Sequence, residues 1–226
     1  YRTLSRGMVL QAAFSKVAKA STSNGILVIA LKGVYLSEWL YGDIGLRQFS
    51  DIDLLVNKED GEKCQQILRD MGFYQPTNKI TQMIGEHTGF VHYPPMLLND
   101  VSVEIHIDLH NRKLPYSLNV KEIIDRSEPL VVNNSQVNVL ELRDLIIFLC
   151  VHLDKHFTGG DIQFISFCDL VNLLDIHSER IDWQELEVRC NQYNCEEVVY
   201  KYIYLTHKYF QVPIPKDSVQ KYSTFL

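Results

Sequence analysis

Ser50-Asp51-Ile52-Asp53-Leu54-Leu55-Val56 is the stretch whose reading decides the fold. Residues 52–56 read as a strand, and the run Leu54-Leu55-Val56 marks it as a buried one. Aspartates at i and i+2 on a strand project from one face a few ångströms apart. Like charges that close destabilise each other unless a cation lies between them. The end of a buried strand is also a costly place for unpaired anions. Hard carboxylate oxygens suit Mg²⁺ or Mn²⁺ rather than zinc. An isolated Asp-x-Asp is nonetheless common by chance and is more often a pair of solvated carboxylates or a helix cap, so its surroundings must decide.

Upstream, Ile26-Leu27-Val28-Ile29-Ala30-Leu31 is a second continuous apolar run, followed by Lys32-Gly33 and a helical stretch from Val34 to Tyr41. A strand that turns tightly into a helix can offer backbone N–H groups, and here a lysine, to a phosphate. Downstream, residues 101–109 alternate: Val101, Val103, Ile105, Ile107 and Leu109 take one face, and Ser102, Glu104, His106 and Asp108 the other. Glu104 is thus expected on a strand beside Asp51 and Asp53, with His106 on the same face.

Outward from this centre, residues 7–20 set Met8, Ala12, Phe14, Val17 and Ala18 at helical spacings, and the cluster Ser21 to Gly25 ends that helix. Asp60 to Met71 reads as a helix stopped by Gly72, with Phe73 and Tyr74 opening a further strand. Residues 75–100, with their glycines and prolines, predict a loop with one or two edge strands. Leu130-Val131-Val132, the Asn133-Asn134-Ser135 turn and Val137-Asn138-Val139 predict a hairpin. From Leu140 the pattern turns helical, over Leu142 to Leu153, Phe164 to Ile176, Trp183 to Tyr193 and Val198 to Phe210. Asp182 is a plausible N-cap, Trp183 and the later tyrosines read as core, and Pro213 and Pro215 are expected to close the ordered part. The expected fold is α+β: a small mixed sheet with flanking helices over residues 1–139, and a helical bundle over 140–226.

Composition narrows the partners. The chain has 226 residues, 46% apolar and 22% charged, an ordinary globular balance. No run approaches the roughly 18 apolar residues that a membrane helix needs, so no membrane partner is expected. The first residues do not read as a signal peptide. A net charge of −6 without a basic run argues against long nucleic acid. Five scattered cysteines form neither a disulfide framework nor a zinc pair, and a reducing cytoplasm is the expected compartment. His152 and His156 share a helix face at i and i+4, but without His-Glu-x-x-His a zinc hydrolase is disfavoured.

The ordered set of Leu31-Lys32-Gly33, Tyr41, Arg47, Asp51-Ile52-Asp53-Leu54-Leu55-Val56 and Val103-Glu104-Ile105-His106 resembles the nucleotidyltransferase superfamily with its polymerase-beta-like fold. More narrowly it is similar to a bacterial branch whose first motif reads Lys-Gly. The likeness continues through Leu145 to His156, Asp169-Leu170 and Ile181-Asp182-Trp183, nearly the whole chain. Most members carry Gly-Ser where this chain has Lys32-Gly33.

The resemblance implies that Asp51, Asp53 and Glu104 are catalytic and hold two divalent ions, Mg²⁺ or Mn²⁺. The donor would be a nucleoside triphosphate, with ATP favoured, and its monophosphate would pass to a hydroxyl-bearing acceptor with release of pyrophosphate. Lys32, Gly33, Arg47, His106 and Lys155 complete the expected cofactor-binding set. Lys32 and Arg47 would face phosphate charge, while Lys155, with Asp169, would line a cleft where an acceptor sits. The acceptor, a small molecule or a protein, is not encoded legibly. The competing expectation is a catalytically silent module that binds a nucleotide or a partner on the same fold.

Overall fold

A computed structural model describes residues 2–76, 91–110, 114–160 and 163–225. The chain divides into two compact units, one made of residues 1–113 and 119–141, the other of residues 114–118 and 142–226.

The first unit is built on a six-stranded mixed sheet. Its strands are β1 (Ile29–Ala30), β2 (Ile52–Leu55), β3 (Met96–Leu98), β4 (Val101–His106), β5 (Glu128–Val132) and β6 (Ser135–Val139), in the spatial order β3-β4-β2-β1-β6-β5. β2 runs parallel to β4 and antiparallel to β1, while β1 runs parallel to β6. The two hairpins sit at the sheet edges. Each has a two-residue turn that asparagine makes possible. Asn133 and Asn134 both take positive φ, 45° and 58°, and Asn99 takes 51°. Asparagine tolerates this left-handed region, and paired positive φ matches the twist of the flanking strands.

β1 is shorter than the apolar run that predicts it. Ile26 and Val28 to Leu31 are buried, but Leu27 is 40% exposed, so the run is not enclosed throughout. The bonds of Leu31 N to Asp53 O and of Asn138 N to Val28 O extend the contact at both ends of the strand.

Helix α1 (Arg2–Ser23) lies over the sheet, α2 (Gly33–Trp39) follows β1, and α3 (Gly61–Asp70) packs beside α1 and β4. The buried stripe of α1 is Leu10, Phe14, Val17 and Ala18, whereas Met8 is 59% exposed and Ala12 is exposed as well. The periodicity therefore locates the helix but misses its phase by two residues at the start. Tyr74 makes only an isolated bridge to Leu97 rather than opening a strand, and residues 77–90 of the expected loop lie outside the described residues. A short helix α4 (Val120–Asp125) is capped by Asn119, whose side chain accepts from Glu122 N.

The second unit is helical: α5 (Leu142–Thr158), α6 (Phe164–His177), α7 (Trp183–Tyr193), α8 (Glu196–Phe210) and α9 (Lys216–Ser223). Leu145, Ile146, Leu149 and Leu153 of α5 are buried as their spacing predicts, together with Leu170, Leu174, Leu186, Val199 and Ile203 from its neighbours. Asp182 caps α7 by accepting from Glu185 N at 3.0 Å, and Trp183 is half-buried rather than core. Pro213 and Pro215 do not close the ordered part. Pro215 instead stands just before α9, where its fixed φ suits a helix start and its missing N–H costs nothing. No helix among the described residues is long and apolar enough to cross a membrane.

Candidate active site

Three backbone facts bring the expected residues together. β1 leads straight into Lys32 and then α2, so Lys32 stands beside the first half of the antiparallel neighbour β2. The parallel register of β2 and β4 sets Asp53 opposite Glu104. His106, two residues further along β4, returns to the same face of that strand.

Asp53 is the centre of the resulting network. Its Oδ2 lies 3.2 Å from Lys32 Nζ, and its Oδ1 lies 2.9 Å from His106 Nε2. The residue is only 7% exposed. Burial alone would raise its pKa. The charge of Lys32 and the bond from His106 outweigh that effect, holding the carboxyl ionised far below the usual carboxylate range. Burial also lowers the pKa of His106, more than its bond to Asp53 raises it. Because a carboxylate oxygen can only accept, Nε2–H of His106 donates this hydrogen bond to Asp53 Oδ1.

Glu104 Oε2 lies 3.7 Å from His106 Nε2 and 3.8 Å from His92 Nδ1. His92 packs its ring on His106 at 5.0 Å between centroids, and the two residues form an isolated bridge. Sequence reading misses His92. It follows a stretch without clear periodicity, and only its pairing with β4 brings it to the site.

Asp51 sits just before β2 and is partly buried. Burial pushes its carboxyl up to about 6, with further pushes from the charges of Asp53 and Glu104 and a smaller opposing pull from Lys32. The field of the other two acids thus reaches Asp51. Even so, the donor group compact enough to share one ion is Asp53, Glu104 and His106, whose ligand atoms all lie within 4.8 Å of one another. Among the described residues no group of three or more such donors includes Asp51.

The remaining expected residues fall differently. Gly33 opens α2 where the chain touches Phe49: a Cβ there would stand 2.7 Å from Phe49 Cβ. Close packing therefore requires glycine at this position, whatever contact its N–H offers. Arg47 is buried in the same unit and donates to Gln48 O at 3.4 Å. Lys155 is exposed in the last turn of α5, and Asp169 is fully buried on α6, both in the second unit. His110 pairs with its neighbour Asp108 at 3.2 Å. His152 and His156 approach Nε2 to Nε2 at 3.2 Å, but no third donor within the same reach joins them among the described residues.

The family described as uncharacterised nucleotidyltransferase matches residues 2–211. No curated protein sequence matches the chain. Solved structures that share the fold include the antibiotic-resistance factor ANT(2'')-Ia in solution, at 11% identity and a TM-score of 0.56, covering 90% of this chain and 98% of that one. A crystal structure of ANT(2'')-Ia in complex with adenylyl-2''-tobramycin aligns at 11% identity and a TM-score of 0.53, covering 79% and 93% respectively. An antigenic nucleotidyltransferase-like protein from Paracoccidioides brasiliensis aligns at 14% identity and a TM-score of 0.53, covering 93% and 92%. At these identities the structural likeness is one of fold. The family match spans most of the chain, and the protein belongs to the uncharacterised nucleotidyltransferase family.

Proposed function

We propose that this protein transfers a nucleoside monophosphate from a nucleoside triphosphate, with ATP the favoured donor, to a hydroxyl-bearing acceptor, releasing pyrophosphate. The observation that carries this reading is the cross-strand pair Asp53 and Glu104, with Lys32 and His106 both on Asp53.

The chemistry of the donor set fits divalent cations. Two carboxylates and an imidazole converge within 4.8 Å, and a third carboxyl, Asp51, feels the charge of both acids. Asp51, Asp53 and Glu104 are the residues proposed to hold two Mg²⁺ or Mn²⁺ ions. Bound there, the ions supply Lewis-acid neutralisation of the triphosphate and lower the pKa of an acceptor hydroxyl. Lys32 and His106 hold Asp53 ionised, whereas burial and the charge of Asp53 push the Asp51 carboxyl up to about 6. Lys32, a mobile point charge, would exchange Asp53 for the phosphates and offset the charge that develops as the acceptor oxygen attacks the α-phosphorus in line. Arg47 is proposed to add positive charge toward the phosphates. Glu104 is proposed to accept the acceptor's proton or to hold a cation.

ANT(2'')-Ia carries an adenylylated aminoglycoside in its crystal complex. An acceptor of the same general kind, a hydroxylated and cationic small molecule, suits a chain of net charge −6. Mg²⁺- or Mn²⁺-dependent pyrophosphate release from each nucleoside triphosphate tests the reading. Wild type should release it and the Asp51→Ala/Asp53→Ala variant should not. Equal release from both would overturn it.

A catalytically silent nucleotide-binding module is the second reading, and the Lys32–Asp53 pair favours it, since that pair satisfies the acid without a metal. Calorimetry separates the two: ATP binding that ignores Mg²⁺ and brings no turnover supports the module.

A further inference from the structure

We infer that His106 is a direct metal ligand, and that the ion shared by Asp53, Glu104 and His106 is a first-row transition metal such as Mn²⁺ or Co²⁺ in preference to Mg²⁺. The inference rests on the nucleotidyltransferase reading above and deepens it. That reading gives the ions to three carboxylates, whereas the compact donor group contains only two carboxylates and one imidazole.

Geometry supports a common centre. Donors about 2.1 Å from one ion stand roughly 3.0 Å apart at a right angle and roughly 3.6 Å apart at 120°. His106 Nε2 lies 2.9 Å from Asp53 Oδ1 and 3.7 Å from Glu104 Oε2, both spacings that a single coordination sphere produces. The strands hold these atoms in place: Glu104 faces Asp53 through the β2–β4 register, and His106 follows Glu104 by two residues on one face. The donor atoms of all three lie within 4.8 Å of one another.

The chemistry of the imidazole then decides the metal. His106 is buried with its Nε2 turned to both carboxylates, and it offers an ion one nitrogen lone pair once the Nε2 proton shifts to Nδ1. Mg²⁺ demands oxygen donors and gives up its water reluctantly, whereas transition metals gain from an imidazole nitrogen. Asp51, outside the compact group, is left to the second ion.

Pulsed electron paramagnetic resonance on the full chain with one equivalent of Mn²⁺ and no nucleotide tests this directly, because nitrogen bound to Mn²⁺ modulates the echo. Wild type should show ¹⁴N modulation, His106→Asp should lose it, and His152→Gln/His156→Gln should keep it. Calorimetry on the same proteins should show the Mn²⁺-to-Mg²⁺ affinity ratio falling about tenfold or more in His106→Asp. Mn²⁺ that binds wild type without ¹⁴N modulation, or modulation that survives His106→Asp, overturns the inference and leaves the nucleotidyltransferase reading standing. If wild type binds neither metal, even with nucleotide added, both fail together. The wild-type spectrum decides even if His106→Asp does not fold.

Discussion

Lys32 Nζ lies 3.2 Å from Asp53 Oδ2, so the turn after β1 sets an ammonium on the carboxylate that metal-dependent chemistry would use. Both groups are largely withdrawn from water, with side chains 17% and 4% exposed, so neither is well screened. The lysine offsets the charge of Asp53, the role proposed above for a divalent cation.

Replacing it should therefore act in opposite directions on two ligands. Lys32→Met removes the competing cation, and metal affinity without nucleotide should rise by roughly tenfold, the equivalent of about 1.4 kcal/mol. The same variant loses the point charge proposed to meet the phosphates, and pyrophosphate release should fall by about 10²-fold or more. Calorimetry and a pyrophosphate assay on one preparation check both. A fall in metal affinity would mean that Lys32 supports the metal rather than standing in for it.

Asp51 gives the fold a specific acid response. Burial, with the charge of Asp53 beside it, raises its carboxyl from 3.8 to about 6, so the folded chain holds this proton more tightly than the unfolded one. Its stabilising contribution is fully present below about pH 4 and is lost as pH rises through about 6. Asp53, shifted the other way, contributes above about pH 4 and loses that only in stronger acid. In metal-free protein, Asp51→Asn should flatten the stability profile between pH 4 and 6, a change of roughly 1–2 kcal/mol across the window after allowance for solvent screening. Urea denaturation at pH 4, 5 and 6 measures it. An unchanged slope would mean that another group sets it.

Much of this site is legible in the sequence because strand periodicity is strict. The alternation from Val101 to His106 fixes which side of β4 carries Glu104 and His106, and the Asp-x-Asp before Leu54 marks the strand beside it. The Asn133-Asn134 hairpin is legible because few residues tolerate paired positive φ. What escapes is set by distant contacts. No local pattern tells that β1 lies between β2 and β6, that residues 114–118 join the second unit, or that His92 stacks on His106. Helix phase also escapes. Met8 and Leu10 are equally apolar, and only the packing of α1 buries the second and leaves the first in water.

Gly33, in the first motif, is held to glycine by packing. A Cβ there would lie 2.7 Å from Phe49 Cβ and 2.9 Å from its Cγ, atoms close to the backbone that cannot swing aside. Gly33→Ala should destabilise the fold by about 1–3 kcal/mol through overpacking. Because Gly33 follows Lys32 directly, the same shift should disturb the Lys32–Asp53 pair and weaken nucleotide binding. Chemical denaturation together with nucleotide titration checks this. A variant of wild-type stability would show that the segment around Phe49 yields freely.

The second unit carries a buried charge that the apolar pattern conceals. Arg189 Nη1 of α7 lies 3.2 Å from Asp144 Oδ1 of α5, with side chains 7% and 0% exposed, and Arg189 Nε also reaches Glu185 at 3.1 Å. Two ions drawn out of water gain little net stability from each other, but removing one takes an opposite charge from the other where water cannot replace it. Arg189→Met should therefore cost about 3–5 kcal/mol, and the double variant Asp144→Leu/Arg189→Met should recover most of that loss. Glu185, being half-exposed, can turn to solvent in either variant. Denaturation of both singles and the double gives the coupling energy directly. A double variant as unstable as the sum of its singles would mean that each ion is held by groups other than its partner.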